Sequence, residues 1–153
     1  MKIFGYGTFI TSGIYRKFTK VRSAYLLGYA RILRPGDLFP FILQKTPENP
    51  NNSTETGNSG FWGLVFDVSP ERLEELDFYE GSLYTRIQVK CMYLDGETDE
   101  VMVYYPTEEI IELYNLRNYI TNDDPWRDKI VHNHPAIIEQ FPELARSEPP
   151  GTF

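Results

Sequence analysis

Residues 60–68, GFWGLVFDV, constrain this chain more than any other segment. From Phe61 to Phe66 the run is apolar or glycine with no polar alternation, so a strand here is buried on both faces. Such a strand needs partners on both edges and cover above and below. The chain has 153 residues, enough to supply that core in one domain and too few for two.

The remaining strand signals fit around it. KIFGYG at the N-terminus is a short strand broken at Gly5 and Gly7. Residues 23–33 are apolar, aromatic and β-prone, and Gly28 inside them marks a bulge or a close backbone approach. Residues 39–44 follow the Pro35-Gly36 turn. In 84–94, Ile87, Val89, Cys91 and Tyr93 alternate with Arg86, Gln88 and Lys90, the pattern of a half-buried strand. Asp95-Gly96 then predicts a hairpin, with 99–106 as the return strand. These runs, with few helices between them, predict an α+β chain built on a mixed, mostly antiparallel sheet that can close into a barrel.

Two helices are expected. One starts at Ser69-Pro70-Glu71, which combines an N-cap, a proline at the first helical position and an acid near the positive helix end. The other starts at Thr107 and carries Ile110, Leu113 and Tyr114 on one face. Residues 45–60 read as a long polar loop, of the kind that forms lids or insertions. From about Lys129 the chain reads as a proline-studded tail with one short helix near 135–140.

Composition excludes several function classes. The formal net charge of −7 argues against a nucleic-acid surface, which needs clustered Lys and Arg. The basic stretch 16–22 reads as a solvated loop or short helix. The single cysteine, Cys91, allows no intramolecular disulfide and reads as a small core hydrophobe. No signal-peptide pattern is visible, and no apolar run reaches the roughly 18–20 residues of a membrane span. The expectation is a soluble, cytoplasmic protein without nucleic-acid or membrane partners, in which the sequons at Asn51-Asn52-Ser53-Thr54 stay unmodified. His132 and His134 lack two further ligands for zinc, so they read as surface histidines, and Trp62 and Trp126 as packing residues.

Two segments can carry chemistry. In the first helix, Leu73 and Leu76 define a buried stripe, and Glu80 lies four residues beyond Leu76 on the same face. Glu71, Glu74 and Glu75 fall off that stripe, and Gly81 suits a left-handed cap that ends the helix. A carboxylate at that inner edge is either a buried partner of Arg86 or of a tyrosine, or a base whose pKa burial has raised toward neutrality. The second segment is Tyr6-Gly7-Thr8-Phe9. It is either a plain strand-end turn or a loop whose free backbone N–H groups point at an anion.

In order along the chain stand YGT plus a hydrophobe, Ala24-x-Leu26-x-Gly28-Tyr29, the 60–68 run, and Leu76-Asp77-Phe78-Tyr79-Glu80-Gly81-Ser82-Leu83-Tyr84-Thr85-Arg86. A V-x-V-Y strand at 101–104 and DDPWRD at 123–128 complete the set. Together they resemble the γ-glutamylcyclotransferase family in its AIG2-like branch, which includes γ-glutamylamine cyclotransferase. The resemblance spans 1–128 and leaves 129–153 as an extension. Phe9 stands where the family pattern usually has Leu, and Asp124-Pro125-Trp126 where it has G-D-W.

The resemblance implies a small barrel flanked by helices and a cofactor-free, metal-free reaction. The α-amine of a γ-glutamyl amine, or of a related γ-glutamyl compound, attacks its own γ-carbonyl and 5-oxoproline leaves. By similarity Glu80 is the general acid and base, and Tyr6, Gly7, Thr8 and Phe9 bind the substrate through backbone N–H groups. Tyr84 and Arg86 are motif positions with a supporting role. The attack is intramolecular, where effective molarities reach about 10⁵–10⁸ M, so no protein nucleophile is needed. A small-ligand binder of the same fold that does not turn its ligand over is the alternative.

Overall fold

The computed structural model describes residues 1–45 and 59–151. The polar loop expected at 45–60 lies, apart from Lys45, Ser59 and Gly60, outside the described residues, and so do the sequons within it. Seven strands are formed among the described residues: β1 (Lys2–Gly5), β2 (Thr19–Leu27), β3 (Tyr29–Ile32), β4 (Phe41–Gln44), β5 (Gly60–Asp67), β6 (Tyr84–Tyr93) and β7 (Thr98–Pro106). Five of them close into a barrel in the order β1-β5-β2-β6-β7. Every pairing is antiparallel except β1 with β7, which is parallel, with Ile3 opposite Met102.

Strand β5 is paired on both edges, by β1 and β2, and is covered on both faces. Phe61 and Val65 point into a cluster with Phe4, Leu26, Val89 and Val103, drawn from every barrel strand, which is the barrel interior. Trp62, Leu64 and Phe66 point outward, into a cluster shared with the helices. Asp95-Gly96 forms the β6–β7 turn, where the Asp95 carboxylate accepts from the Glu97 N–H at 2.9 Å.

The structure departs from the expectation at two strands. The run 23–33 is not one strand: it breaks at Gly28, φ +85°, into β2 and β3, and β3 leaves the barrel to pair with β4. Only part of the basic stretch 16–22 is loop or short helix. A 3₁₀ turn covers Ile14–Lys17, and β2 begins at Thr19 with an irregular register between Thr19 and Arg22.

The α-helices among the described residues are α1 (Thr8–Thr11), α2 (Pro70–Glu80), α3 (Glu108–Leu113), α4 (Pro125–Asn133) and α5 (Pro135–Gln140). Helix α2 starts as expected, with the Ser69 side chain accepting from the Arg72 N–H at 3.3 Å and Pro70 in the first turn. Helix α3 starts at the Thr107 cap but buries Ile110 and Ile111, while Leu113 is 73% exposed. It ends after six residues, and Asn115 in the left-handed region turns the chain before Leu113 reaches the core. Ile130, Ile137 and Leu144 are buried in the outer cluster beside Tyr25 and Trp62. The Glu148 carbonyl accepts from the Trp62 indole at 2.8 Å.

The topology itself assembles one end of the barrel. Because β1 and β7 are parallel, the C-terminal end of β1 lies at the end where β7 finishes. Because β6 is antiparallel to β7, with Tyr84 opposite Pro106, β6 begins at that same end. The loop after β1 and the chain between α2 and β6 are therefore neighbours despite some seventy intervening residues.

Candidate active site

A cavity of about 280 Å³ opens at this end of the barrel. Its walls are Tyr6, Gly7, Thr8 and Phe9 on one side, Tyr79, Glu80, Leu83 and Tyr84 on another, and Phe39 and Pro40 on the third. The structure thus brings Glu80 and the whole 6–9 loop to one cavity, together with Tyr84. Arg86 does not line it.

Helix α2 delivers Glu80. Leu76 is buried and Leu73 packs against the same outer cluster, which turns that face of the helix inward, while Glu71, Glu74 and Glu75 are exposed. The helix stops at Gly81, whose φ of +73° suits glycine. Its ψ of −161° makes it an extended left-hand residue, not the helical left-handed cap the sequence suggests. Among the described residues Glu80 has no hydrogen-bond or ion-pair partner. The expected partner Arg86 is taken by Asp77, with its Nε and Nη2 2.8 and 3.2 Å from the two carboxylate oxygens. Burial without a counter-charge disfavours the ionised form, and the Glu80 carboxyl is pushed up from 4.5 to about 7. The phenols of Tyr6 and Tyr84 are raised well above the tyrosine range, by burial first. The Glu80 charge acts on both in the same direction, so they remain neutral donors.

The 6–9 loop is held from three directions. The Tyr6 hydroxyl donates to the Tyr104 carbonyl at 2.7 Å. The Tyr6 carbonyl accepts from Arg31 Nη1 at 2.8 Å. Phe9 is packed between Phe66 and Tyr104, with ring centroids 5.9 Å away in each case. The N–H groups of Gly7, Thr8 and Phe9 donate to no acceptor among the described residues, as expected where the chain enters α1. All three residues line the cavity.

Gly7 is irreplaceable for a steric reason. A Cβ there would lie 2.8 and 2.9 Å from Cδ and Cγ of Pro40, closer than carbon atoms pack. Pro40 is itself buried, so the loop has to move. The overpacking in Gly7→Ala should take about 1–3 kcal/mol from stability, which a urea denaturation curve checks.

Four supporting residues escape local sequence reasoning. Arg31 is 4% exposed and binds both oxygens of Asp124, with Nε–Oδ1 at 3.0 Å and Nη2–Oδ2 at 2.6 Å. Asp124 also caps α4 by accepting from the Arg127 N–H at 3.1 Å. Asp77 accepts from the Tyr104 hydroxyl at 2.7 Å besides Arg86. Tyr104 therefore joins the two halves of the site, its hydroxyl on the Glu80 helix and its carbonyl on the Tyr6 loop. Asp77, Tyr104 and Asp124 stand inside motif segments and could have been marked from them. Arg31, alone among apolar neighbours, carried no such signal.

Among the described residues no three His, Cys, Asp or Glu side chains come together as metal ligands. No described helix is long and apolar enough to cross a membrane.

A closed five-strand barrel flanked by helices defines a class of small α+β proteins, and comparison with known proteins agrees. Residues 3–128 match the family Gamma-glutamyl cyclotransferase, AIG2-like, and the chain belongs to that family. No curated protein sequence matches the chain. Two solution structures of Arabidopsis thaliana proteins are similar in fold. One is 24% identical with a TM-score of 0.59, over 92% of this chain and 87% of that one. The other is 21% identical with a TM-score of 0.61, over 94% and 81%. A solved gamma-glutamyl cyclotransferase is 17% identical, with a TM-score of 0.52 over 99% of this chain and 89% of that one.

Proposed function

We propose that this chain is a γ-glutamylcyclotransferase that releases 5-oxoproline from a γ-glutamyl amine or related γ-glutamyl amide without a cofactor. The observation that carries the reading is the Glu80 carboxyl, without a hydrogen-bond or ion-pair partner among the described residues, lining one cavity with Tyr6, Gly7, Thr8 and Phe9; burial pushes that carboxyl up to about 7. Family membership supports it.

The chemistry follows from these groups. The N–H groups of the 6–9 loop hold the substrate's α-carboxylate and the reacting carbonyl oxygen. Ionised Glu80 takes a proton from the α-ammonium, and the freed nitrogen attacks the γ-carbonyl carbon. The new C–N bond closes a five-membered ring, and the developing oxyanion is met by backbone donors that need no reorganisation. Glu80 then returns its proton to the departing nitrogen as the old C–N bond breaks. Two protons leave the attacking nitrogen and two arrive on the leaving one, and no water is consumed. Glu80 works in both directions because its pKa lies near neutral pH.

The test is a panel of γ-glutamyl amides and dipeptides, with 5-oxoproline and free amine quantified by chromatography. The expected result is equimolar release of the two. Saturable binding of a γ-glutamyl amide with no release from any panel member would establish a non-catalytic binder in its place.

A further inference from the structure

We infer that the site takes γ-glutamyl amides whose leaving amine carries an uncharged apolar group, an aromatic ring above all. This rests on the proposed cyclotransferase reading and specifies its substrate class. Tyr6 and Phe9, at 7% and 4% exposure, and the partly buried Glu80 make the floor of the cavity, which holds its polar groups. Phe39 and Tyr79 are 38% and 54% exposed and so form the mouth, with Leu83 between β6 and α2. Both mouth rings are braced from behind. Phe39 stands edge-on to Phe41 with centroids 5.6 Å apart, and Tyr79 lies tilted over Phe9 at 6.1 Å.

A γ-glutamyl head has both its charges within a few bonds of the reacting carbonyl, so they go to the polar floor. What extends outward is the substituent on the departing nitrogen, and it meets Phe39, Tyr79, Leu83 and Pro40. Among the described residues Glu80 is the only charged side chain on the cavity wall. The Asp37 carboxylate, whose charge reaches Tyr84, is neutralised by Arg34 at 2.8 Å. A leaving amine bearing a second ammonium or carboxylate would lose water there and gain no counter-ion. A ring or branched alkyl group would gain burial against braced aromatics. The cavity falls just below the roughly 300–1,000 Å³ of drug-sized ligand sites, which suits a single ring and not a long peptide.

The experiment compares kcat/KM for four compounds: γ-glutamyl benzylamide, γ-glutamyl methylamide, γ-glutamylglycine, and lysine acylated by a γ-glutamyl group on its side-chain amine. The benzylamide should exceed each of the others by at least about tenfold. The benzylamide-to-methylamide ratio should fall about three- to tenfold in Phe39→Ala and in Tyr79→Ala, and further in the double variant. Both positions are exposed, so the variants fold, and comparing the ratio between variants cancels the intrinsic reactivity of the two amides. Turnover with no benzylamide preference, a preference for the charged compounds, or a ratio unchanged in the double variant would overturn this inference while leaving the cyclotransferase reading intact. Absence of 5-oxoproline from every compound would overturn that reading and this inference with it.

Discussion

Glu80→Gln is expected to abolish turnover and stabilise the protein at the same time. The glutamine fills the same volume but neither takes nor returns a proton, so kcat/KM should fall by about 10²–10⁴. In the unmodified protein kcat/KM should rise with pH through a midpoint near 7, where the carboxyl ionises, and that limb should vanish in the variant. The stability effect has the opposite sign. The folded state holds the Glu80 proton up to about pH 7, whereas the unfolded chain releases it near 4.5. A carboxyl raised in this way costs nothing below about pH 4.5, and stability is lost progressively as pH climbs to about 7. The shift corresponds to about 3 kcal/mol at most. Glu80→Gln should therefore gain roughly 1–3 kcal/mol over the unmodified chain in urea denaturation at pH 8, and much less at pH 4.5. A site built for catalysis is commonly one that folding alone would not choose.

The second large effect lies on the opposite wall of the Tyr6 loop. Asp124→Asn leaves the Arg31 guanidinium, its side chain 1% exposed, without its counter-charge. Breaking a buried pair from one side costs about 3–5 kcal/mol, against 0–1 for a surface pair. For a chain of this size that lowers the melting temperature by on the order of 10 °C. Activity should fall as well, because Arg31 also holds the Tyr6 carbonyl and so sets the donor loop. Replacing both residues by apolar ones should recover part of the stability, since no charge is then left buried. The loop would still lack its Arg31 anchor, so activity should stay low. Thermal unfolding of the single and double variants, with turnover measured alongside, separates the two contributions.

These residues also mark where local sequence reasoning stops. The buried strand β5, the alternation of β6, the Asp95-Gly96 turn and the Ser69-Pro70 start of α2 are all set within one segment, and each is legible there. The inward aim of Glu80 follows from its spacing to Leu73 and Leu76 for the same reason. The break at Gly28 was not legible, because residues 23–33 are uniformly β-prone and only the pairing of β3 with β4 pulls the second half out of the barrel. Leu113 misled because helical periodicity does not show that a helix will end within two turns. The Arg31–Asp124 pair joins residues 93 apart in sequence, and neither neighbourhood announces the other. Phe39 and Pro40 read as the start of a strand, yet the strand begins at Phe41 and the two residues before it wall the cavity.

The central claim is that one carboxylate and a donor loop close a ring on the substrate without water. The most direct measurement is the fate of γ-glutamyl benzylamide incubated with the protein in ¹⁸O-labelled water, followed by mass spectrometry. Benzylamine and 5-oxoproline are expected in equal amounts, the 5-oxoproline free of ¹⁸O, with both absent when Glu80→Gln replaces the unmodified protein. Glutamate carrying ¹⁸O, or 5-oxoproline formed at the same rate by the Glu80→Gln variant, would contradict that claim.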